Sequence, residues 1–298
     1  MLYVRPDFYD DFACTASACS HSCCIGWEID VDAESLARYR VLGGALGDAL
    51  RENIALEPTP HFRLTAGERC PFLRADGLCR LILELGEDSL CDICALHPRF
   101  YNEYPDRVEM GLGLCCEEAA RLLTEGRGHL RLLMESDEEP APPPPPLLLL
   151  RDEILALLAE DALPLPERMR RAAALAHSPL PPFHAGETAR FFLTLERMDP
   201  AWTALLERLA AAEDAEPALS GIRHARIAEY LIYRHFAAAV GEAEAALRLQ
   251  FCFYALRLIR ALSSFAPLAE CLRLFSAEIE YSDENVDRIC EWLNAKLT

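Results

Sequence analysis

Ten of the thirteen cysteines in this 298-residue chain fall before residue 117: Cys14, Cys19, Cys23, Cys24, Cys70, Cys79, Cys91, Cys94, Cys115 and Cys116. Thiolates at short spacing suit soft or borderline metals, with zinc and iron–sulfur clusters the usual occupants. The start, "MLYVRPDFYDDFAC", carries an early arginine and several acids but no apolar h-region. The chain therefore reads as cytoplasmic. In that reducing compartment thiols stay free, bind metal or do redox chemistry, and structural disulfides are rare.

Local geometry favours some pairs over others. Cys91 and Cys94, in "EDSLCDICALHPRF", stand three apart where a helix is expected to open near Asp88 or Ser89. At that spacing both sulfurs leave one helical face, and a helix N-terminus favours the ligating thiolate. Pro98 should end that helix at His97. Cys19 and Cys23 meet the same criterion if their segment is helical. Adjacent cysteines are harder to use together, because successive side chains diverge by about 100° in a helix. One member of Cys23–Cys24, and one of Cys115–Cys116, is expected to ligate while the other packs or serves a second centre.

Cys70 and Cys79 flank the turn signal Asp76-Gly77. A fully zipped hairpin would leave the two on the order of 15 Å apart. If both serve one centre, the turn must be compact and irregular, with "CRLILELG" starting a helix. The Cys-x3-Cys-x2-Cys radical signature is absent, and spacing alone does not separate zinc from iron–sulfur. Trp27 is expected to shield a metal site from water; His21 and His97 are minor ligand candidates beside so many thiols.

The elements that must position these residues divide in two. "ESDEEPAPPPPPLLLL" joins acids to a proline run that cannot form a helix interior. It separates a cysteine-rich metal-binding unit (1–136) from a helical domain (147–298), with 137–146 as linker. The expected fold is mainly α, with a short β element in the first unit. "DAESLARYRVLGGALGDAL" reads as a helix capped by Asp32. "VEMGLGL" alternates like a half-buried strand with Val108, Met110, Leu112 and Leu114 inward; if it continues, Cys116 joins that face and Cys115 points away.

In the second half, Leu247, Phe251, Tyr254, Leu258 and Phe265 mark one buried helical stripe, widened by Cys252, Ala255 and Ile259. Ser282 caps a helix that buries Val286, Ile289 and Leu293. "RHARIAEYLIYRHFAAAV" is a further helix. Cys252, Cys271 and Cys290 are expected to act as small buried hydrophobes. A glycine-rich nucleotide fingerprint is absent from this half, so a Rossmann-type cofactor domain is not supported.

Composition narrows the partners. A formal charge of -19 argues against nucleic acid and anionic lipid. No stretch reaches the roughly 18 apolar residues of a membrane span. Basic residues are almost all arginine, with Lys296 the single lysine, which fits a coding bias.

The blocks "FACTASACSHSCCIGWEIDVD", "CPFLRADGLCRLILELGEDSLCDICALHPRF" and "GLCCEEAARLL" resemble the cysteine blocks of bacterial flagellin lysine-N-methylases. "EYLIYRHF" and "EIEYSDENV" are similar to later blocks of the same proteins. The resemblance spans most of the chain except the proline linker and the stretch to about residue 220. The first half also resembles, more broadly, zinc- or iron-chelating cysteine-cluster domains. The resemblance implies methyl transfer from S-adenosylmethionine to lysine ε-amines of flagellin with a 4Fe-4S cluster participating, zinc being the alternative. The implied cluster ligands are drawn from Cys19, Cys23 or Cys24, Cys70, Cys79, Cys91, Cys94 and Cys116.

Such a reaction needs a neutral amine aligned with a methyl sulfonium. Glu28, Asp30, Tyr101 and Tyr104 are candidate helpers, and Arg99 in "HPRF" is the candidate partner of the cofactor carboxylate through its planar fork. The competing reading is a non-enzymatic zinc- or iron–sulfur-binding module with a helical partner-binding domain.

Overall fold

Buried residues alternate along the first strand, β1 (Leu2–Pro6), with Leu2, Val4 and Pro6 inward. In the computed structural model, which describes residues 1–137, 143–213 and 216–297, a 3-10 turn at Ala16–Ala18 follows. α1 (Ala33–Val41) begins where Asp32 accepts a hydrogen bond from the Ser35 amide at 2.8 Å. The single helix expected to follow is two. Leu42 is extended and Gly44 adopts φ +77°, a left-handed conformation that breaks the helix before α2 (Gly44–Asn53).

The short antiparallel pair β2 (Ile54–Ala55) and β3 (His61–Phe62) comes next. α3 (Arg80–Leu85) and α4 (Asp92–Leu96) follow, then β4 (Arg99–Glu103), β5 (Arg107–Leu112), α5 (Glu117–Glu125) and β6 (Leu132–Ser136). The remainder is helical: α6 (Pro146–Leu158), α7 (Leu165–Leu175), α8 (Ala185–Phe192), α9 (Pro200–Ala210), α10 (Gly221–His235), α11 (Glu242–Leu262), α12 (Leu268–Phe275), a π-helical turn at Ser276–Glu280, and α13 (Asp283–Ala295). The fold is mainly α, as expected. Among the described residues no helix is long and apolar enough to cross a membrane.

The chain forms two compact units. The smaller is Ala13–Phe100 with Cys116–Glu118; the larger is Met1–Phe12, Tyr101–Cys115 and Ala119–Thr298. This division departs from the 1–136 and 147–298 expected from the proline run, and residues 138–142 of that linker lie outside the described residues. The reason is strand pairing. β1 pairs parallel with β5 and antiparallel with β6, in a sheet of order β4-β5-β1-β6. Tyr233 on α10 donates to the Val4 and Met110 carbonyls at 3.2 and 2.8 Å, and Tyr230 to Leu112 at 2.8 Å. The sheet thus belongs with the helices.

The strand over 107–112 is present, but its first four residues bury the opposite face, while Leu112 and Leu114 are buried as expected. Arg107 and Glu109 are buried while Val108 and Met110 are only half-buried. Glu109, fully enclosed, is held by a two-pronged ion pair to Arg151 of α6, so the polar positions turn inward. The strand ends at Leu112. Cys115 is buried and Cys116 half-buried, opposite to the continued-strand expectation.

α11 is enclosed over most of its length, from Leu249 to Leu262. Leu247 is half-buried, and Phe265, past the helix end, is half-buried too. In α13 the Ser282 hydroxyl accepts from the Asn285 amide, and Val286, Ile289 and Leu293 are buried. Cys252 and Cys271 are fully buried and Cys290 is half-buried.

Candidate functional site

Backbone pairing in the smaller unit draws distant thiols together. Gly26, at φ +79°, donates its amide to the Glu68 carbonyl, Ile25 bridges Arg69, and the Cys70 amide donates to the Cys24 carbonyl at 2.8 Å. Cys24 and Cys70, 46 positions apart in sequence, are therefore strand-like neighbours. After Cys70 the chain turns: the Leu73 amide donates to the Cys70 carbonyl, the Arg74 amide to Leu78, and the Arg80 amide to Phe72. Leu73 bridges Cys79, and Cys79 caps α3. The compact, irregular turn leading into a helix is what the Cys70–Cys79 pair required.

Cys91 is placed from another direction. It caps α4, with the Asp92 amide donating to Asp32 Oδ2 at 3.0 Å and Tyr39 donating to the Ser89 carbonyl at 2.7 Å. The helix carrying Cys94 therefore begins at Asp92, later than expected, after a 3-10 turn at Glu87–Ser89. It ends at His97 as expected. Cys70 and Cys91 are buried in one core with Phe62, Phe72 and Leu81, and Cys24, Cys79 and Cys94 pack against it.

These five sulfurs feel one another. The Cys94 thiol donates to Cys91, which lowers the Cys91 pKa and raises its own. The Cys23 thiol does the same for Cys24. Burial pushes Cys70 up to about 12, with Cys24 and Cys79 adding repulsion. Burial also raises Cys79, where Cys24 and Cys91 contribute repulsion. Repulsion from Cys14 and Cys116 adds to the rise at Cys23, whereas Cys24 is among the neighbours that raise Cys70 and Cys79.

Cys19 does not share a helical face with Cys23. Only the 3-10 turn precedes it, and Cys19 itself is extended. Its sulfur lies 3.9 Å from Glu117, whose carboxylate also accepts from the Ser20 amide at 2.9 Å and bonds His21 Nδ1 at 3.0 Å. His21 is therefore an acid-paired side chain. Cys115 belongs to the larger unit, where it hydrogen-bonds with Tyr281.

The donor type and shared neighbourhood of Cys24, Cys70, Cys79, Cys91 and Cys94 fit a thiolate-bound metal or cluster. Among the described residues, no three His, Cys, Asp or Glu side chains are already arranged around one point as a metal site. The fit is one of chemistry and proximity, not of a closed coordination sphere. Trp27 is half-buried in the same unit, and Arg99 is the half-buried first residue of β4. Glu28 and Asp30 are exposed, Tyr101 is exposed, and Tyr104 donates to the Ala237 carbonyl at 3.5 Å.

In the larger unit, "EYLIYRHF" and "EIEYSDENV" fold against each other. Glu280, on the π-helical turn, is 2.7 Å from His235 Nε2 and 3.5 Å from Arg234. Arg234 lies under the Tyr281 ring and donates to the Tyr230 hydroxyl at 3.0 Å. Arg234 and the His235 hydrogen bond hold Glu280 down at about 2 against the opposing effect of burial, and burial lowers the His235 pKa.

The same block supplies Glu229, 2 % exposed. Its Oε1 lies 2.5 Å from His129 Nδ1, and its Oε2 accepts from the Leu130 amide at 2.7 Å. Burial raises the Glu229 pKa against these stabilising contacts. His129 lines an open cleft of about 630 Å³ together with Phe8, Asp11, Leu122, Glu125 and Arg226. The sequence reading missed this pair. A signal was present: one acid amid the otherwise apolar run from Ile227 to Ile232 must find a partner when that helix is buried.

A mainly helical protein whose smaller unit concentrates nine thiols, and whose larger unit carries a buried histidine–carboxylate network, is the class defined so far. Matches of 130 residues, 41 % of this chain, give the relationship. They are 34 % identical to flagellar biosynthetic protein FliU of Salmonella muenchen, covering 77 % of it. They are 32 % and 31 % identical to lysine-N-methylases of Salmonella choleraesuis and Salmonella typhimurium, covering 32 % of each. The chain belongs to the flagellin lysine-N-methylase family. It matches about a third of the length of the two methylases. No family model and no solved structure matches.

Proposed function

We propose that the protein transfers a methyl group from S-adenosylmethionine to lysine ε-amines of flagellin. The observation that carries this reading is the match to proteins named lysine-N-methylase, alongside a flagellar biosynthetic protein covered over most of its length. We further propose that the inner thiols, Cys24, Cys70, Cys79, Cys91 and Cys94, supply the ligands of a 4Fe-4S cluster, with zinc the alternative. Such a cluster would supply a redox-capable or Lewis-acidic iron. Cys19, Cys23 and Cys116 are peripheral to that set, and Arg99 remains the proposed partner of the donor's carboxylate.

The protein's own task is simpler to derive. It must bind an aliphatic amine, strip one proton and hold nitrogen, methyl and sulfur in line. Flagellin from the host, incubated with anaerobically purified protein and labelled S-adenosylmethionine, should gain methyl-lysine. An inactive protein that binds no donor by calorimetry refutes the reading.

A second reading, a non-enzymatic metal module with a helical partner-binding unit, is favoured by one observation. The match covers only 32 % of each methylase, so the remaining helices need not share their work. Heat on titration with S-adenosylmethionine separates the two.

A further inference from the structure

We infer that Trp292 and Glu187 form a binding site for a methylated ammonium group, and that the chain's own Lys296 occupies it as a tethered, displaceable stand-in. That the outside ligand is a methylated lysine side chain rests on the methylase reading; the ammonium site itself does not. Every residue involved belongs to the larger unit.

The aromatic platform is built without help from the lysine. The Trp292 ring of α13 is stacked on Phe191 of α8, with centroids 4.2 Å apart and planes 4° from parallel. The Tyr254 ring of α11 meets it almost at right angles, 87° at 5.4 Å. Tyr254 is itself only 2 % exposed, and its hydroxyl shares a 2.7 Å hydrogen bond with Thr188 of α8. Three helices thus fix the indole. Glu187 stands four residues before Phe191, so its carboxylate leaves the same face of α8 as that ring.

Lys296 shows what chemistry the arrangement takes. Its Nζ lies 4.5 Å from the Trp292 centroid, within the range where the ring quadrupole attracts a cation. It also lies 2.7 Å from Glu187 Oε1. This is the single lysine of the chain, placed just past the end of α13, yet its side chain is only 14 % exposed. An ammonium is therefore already held between an indole face and a carboxylate, the two groups that together recognise alkylated ammonium ions.

The resident is held weakly. Glu187 is 47 % exposed, and ion pairs open to solvent contribute little, as do cation–π contacts at exposed sites. A methylated ammonium competes on better terms. Each methyl replaces an N–H that water would hydrate, which lowers the cost of desolvation, while the positive charge still faces the indole and Glu187.

Choline, titrated as probe into full-length protein carrying isotope-labelled tryptophan, tests the site by NMR without turnover. The Trp292 indole signal, assigned by its loss in Trp292→Phe, should move. Lys296→Ala should tighten the response about tenfold, because the resident cation is gone. Adding Glu187→Gln to that variant should weaken it again. A folded Lys296→Ala protein whose Trp292 signal ignores choline, or answers choline's uncharged carbon isostere equally, overturns the inference. A flagellin peptide bearing trimethyl-lysine should bind Lys296→Ala about fivefold more tightly than the unmodified peptide; equal binding also overturns it. Should the parent protein fail to methylate flagellin while the choline response stands, the methylase reading falls and the ammonium site remains.

Discussion

Gly126 lies directly against the guanidinium of Arg226: a Cβ there would collide with Nε and Cζ and stand 2.9 Å from Cδ. Arg226 is 3 % exposed and ties α10 to Asp7 and to the carbonyls of Gly128 and His129. The glycine is needed for this close approach, and no left-handed backbone is involved. Gly126→Ala should therefore cost about 1–3 kcal/mol, the usual range for overpacking a tight site. Denaturation of the single variants and of Gly126→Ala with Arg226→Ala checks the cause. The alanine should cost much less once the arginine is gone, and an additive pair would point elsewhere.

Glu109 and Arg151 form an enclosed ion pair, with Arg151 also over the Tyr233 ring. Removing Arg151 strands the Glu109 carboxylate away from water, and removing Glu109 leaves the enclosed guanidinium with the part-exposed Asp152 at 3.0 Å as counter-charge. Glu109→Ala should lose about 3–5 kcal/mol of stability, whereas replacing both residues with methionine should recover much of it. Thermal melts of the three proteins decide this. A double variant as unstable as the single would show that shape, not charge, matters at this position.

Legibility in the sequence followed the range of the determining forces. Asp32 and Ser282 act on amides three residues away, and both caps were readable. The enclosure of α11 was readable from its apolar width. The Cys70–Cys79 turn was constrained by geometry alone, since only a compact bend lets both reach one place. Glu109 was misread because its burial depends on Arg151, 42 residues on, and alternation assigns charged positions to solvent. The grouping of residues 1–12 with the later helices was not readable from composition, because β1 pairs with β5 more than a hundred residues later. His129 and Glu229, separated by 100 residues, could be joined only by the fold.

Glu280 contributes to stability in a pH-dependent way through its buried carboxylate. Its folded pKa, about 2, lies below the ordinary 4.5, so its contribution is complete above about 4.5 and is lost as pH falls toward 2. His235 is shifted down from 6.5 by burial, so protonating it also opposes folding as pH falls below that value. Both push the same way. Glu280→Gln should be less stable than the parent at pH 7 by about 3 kcal/mol, because the buried Arg234 and His235 lose the Glu280 carboxylate. At pH 3 the difference should narrow. Urea unfolding across pH 2.5–7.5 reads this, and parallel curves would remove Glu280 from the acid limb.

The division of thiols into inner and outer groups makes the metal proposal separable residue by residue. A serine hydroxyl is a poor donor to zinc or to a cluster iron compared with thiolate. Cys24→Ser, Cys70→Ser and Cys91→Ser should therefore each lower bound iron and sulfide, or zinc, in protein purified without oxygen. Cys14→Ser should not, since Cys14 is exposed and lies toward Cys19 and Cys23. Cys115→Ser should also keep its metal, because that thiol is engaged with Tyr281 in the larger unit. Cys23→Ser is the sharpest case. Its neighbour Cys24 packs against the core that holds Cys70 and Cys91, whereas Cys23 is exposed, so metal content should survive in Cys23→Ser and fall in Cys24→Ser. The reverse pattern would assign the ligand to the wrong member of the pair and dissolve the inner group as drawn.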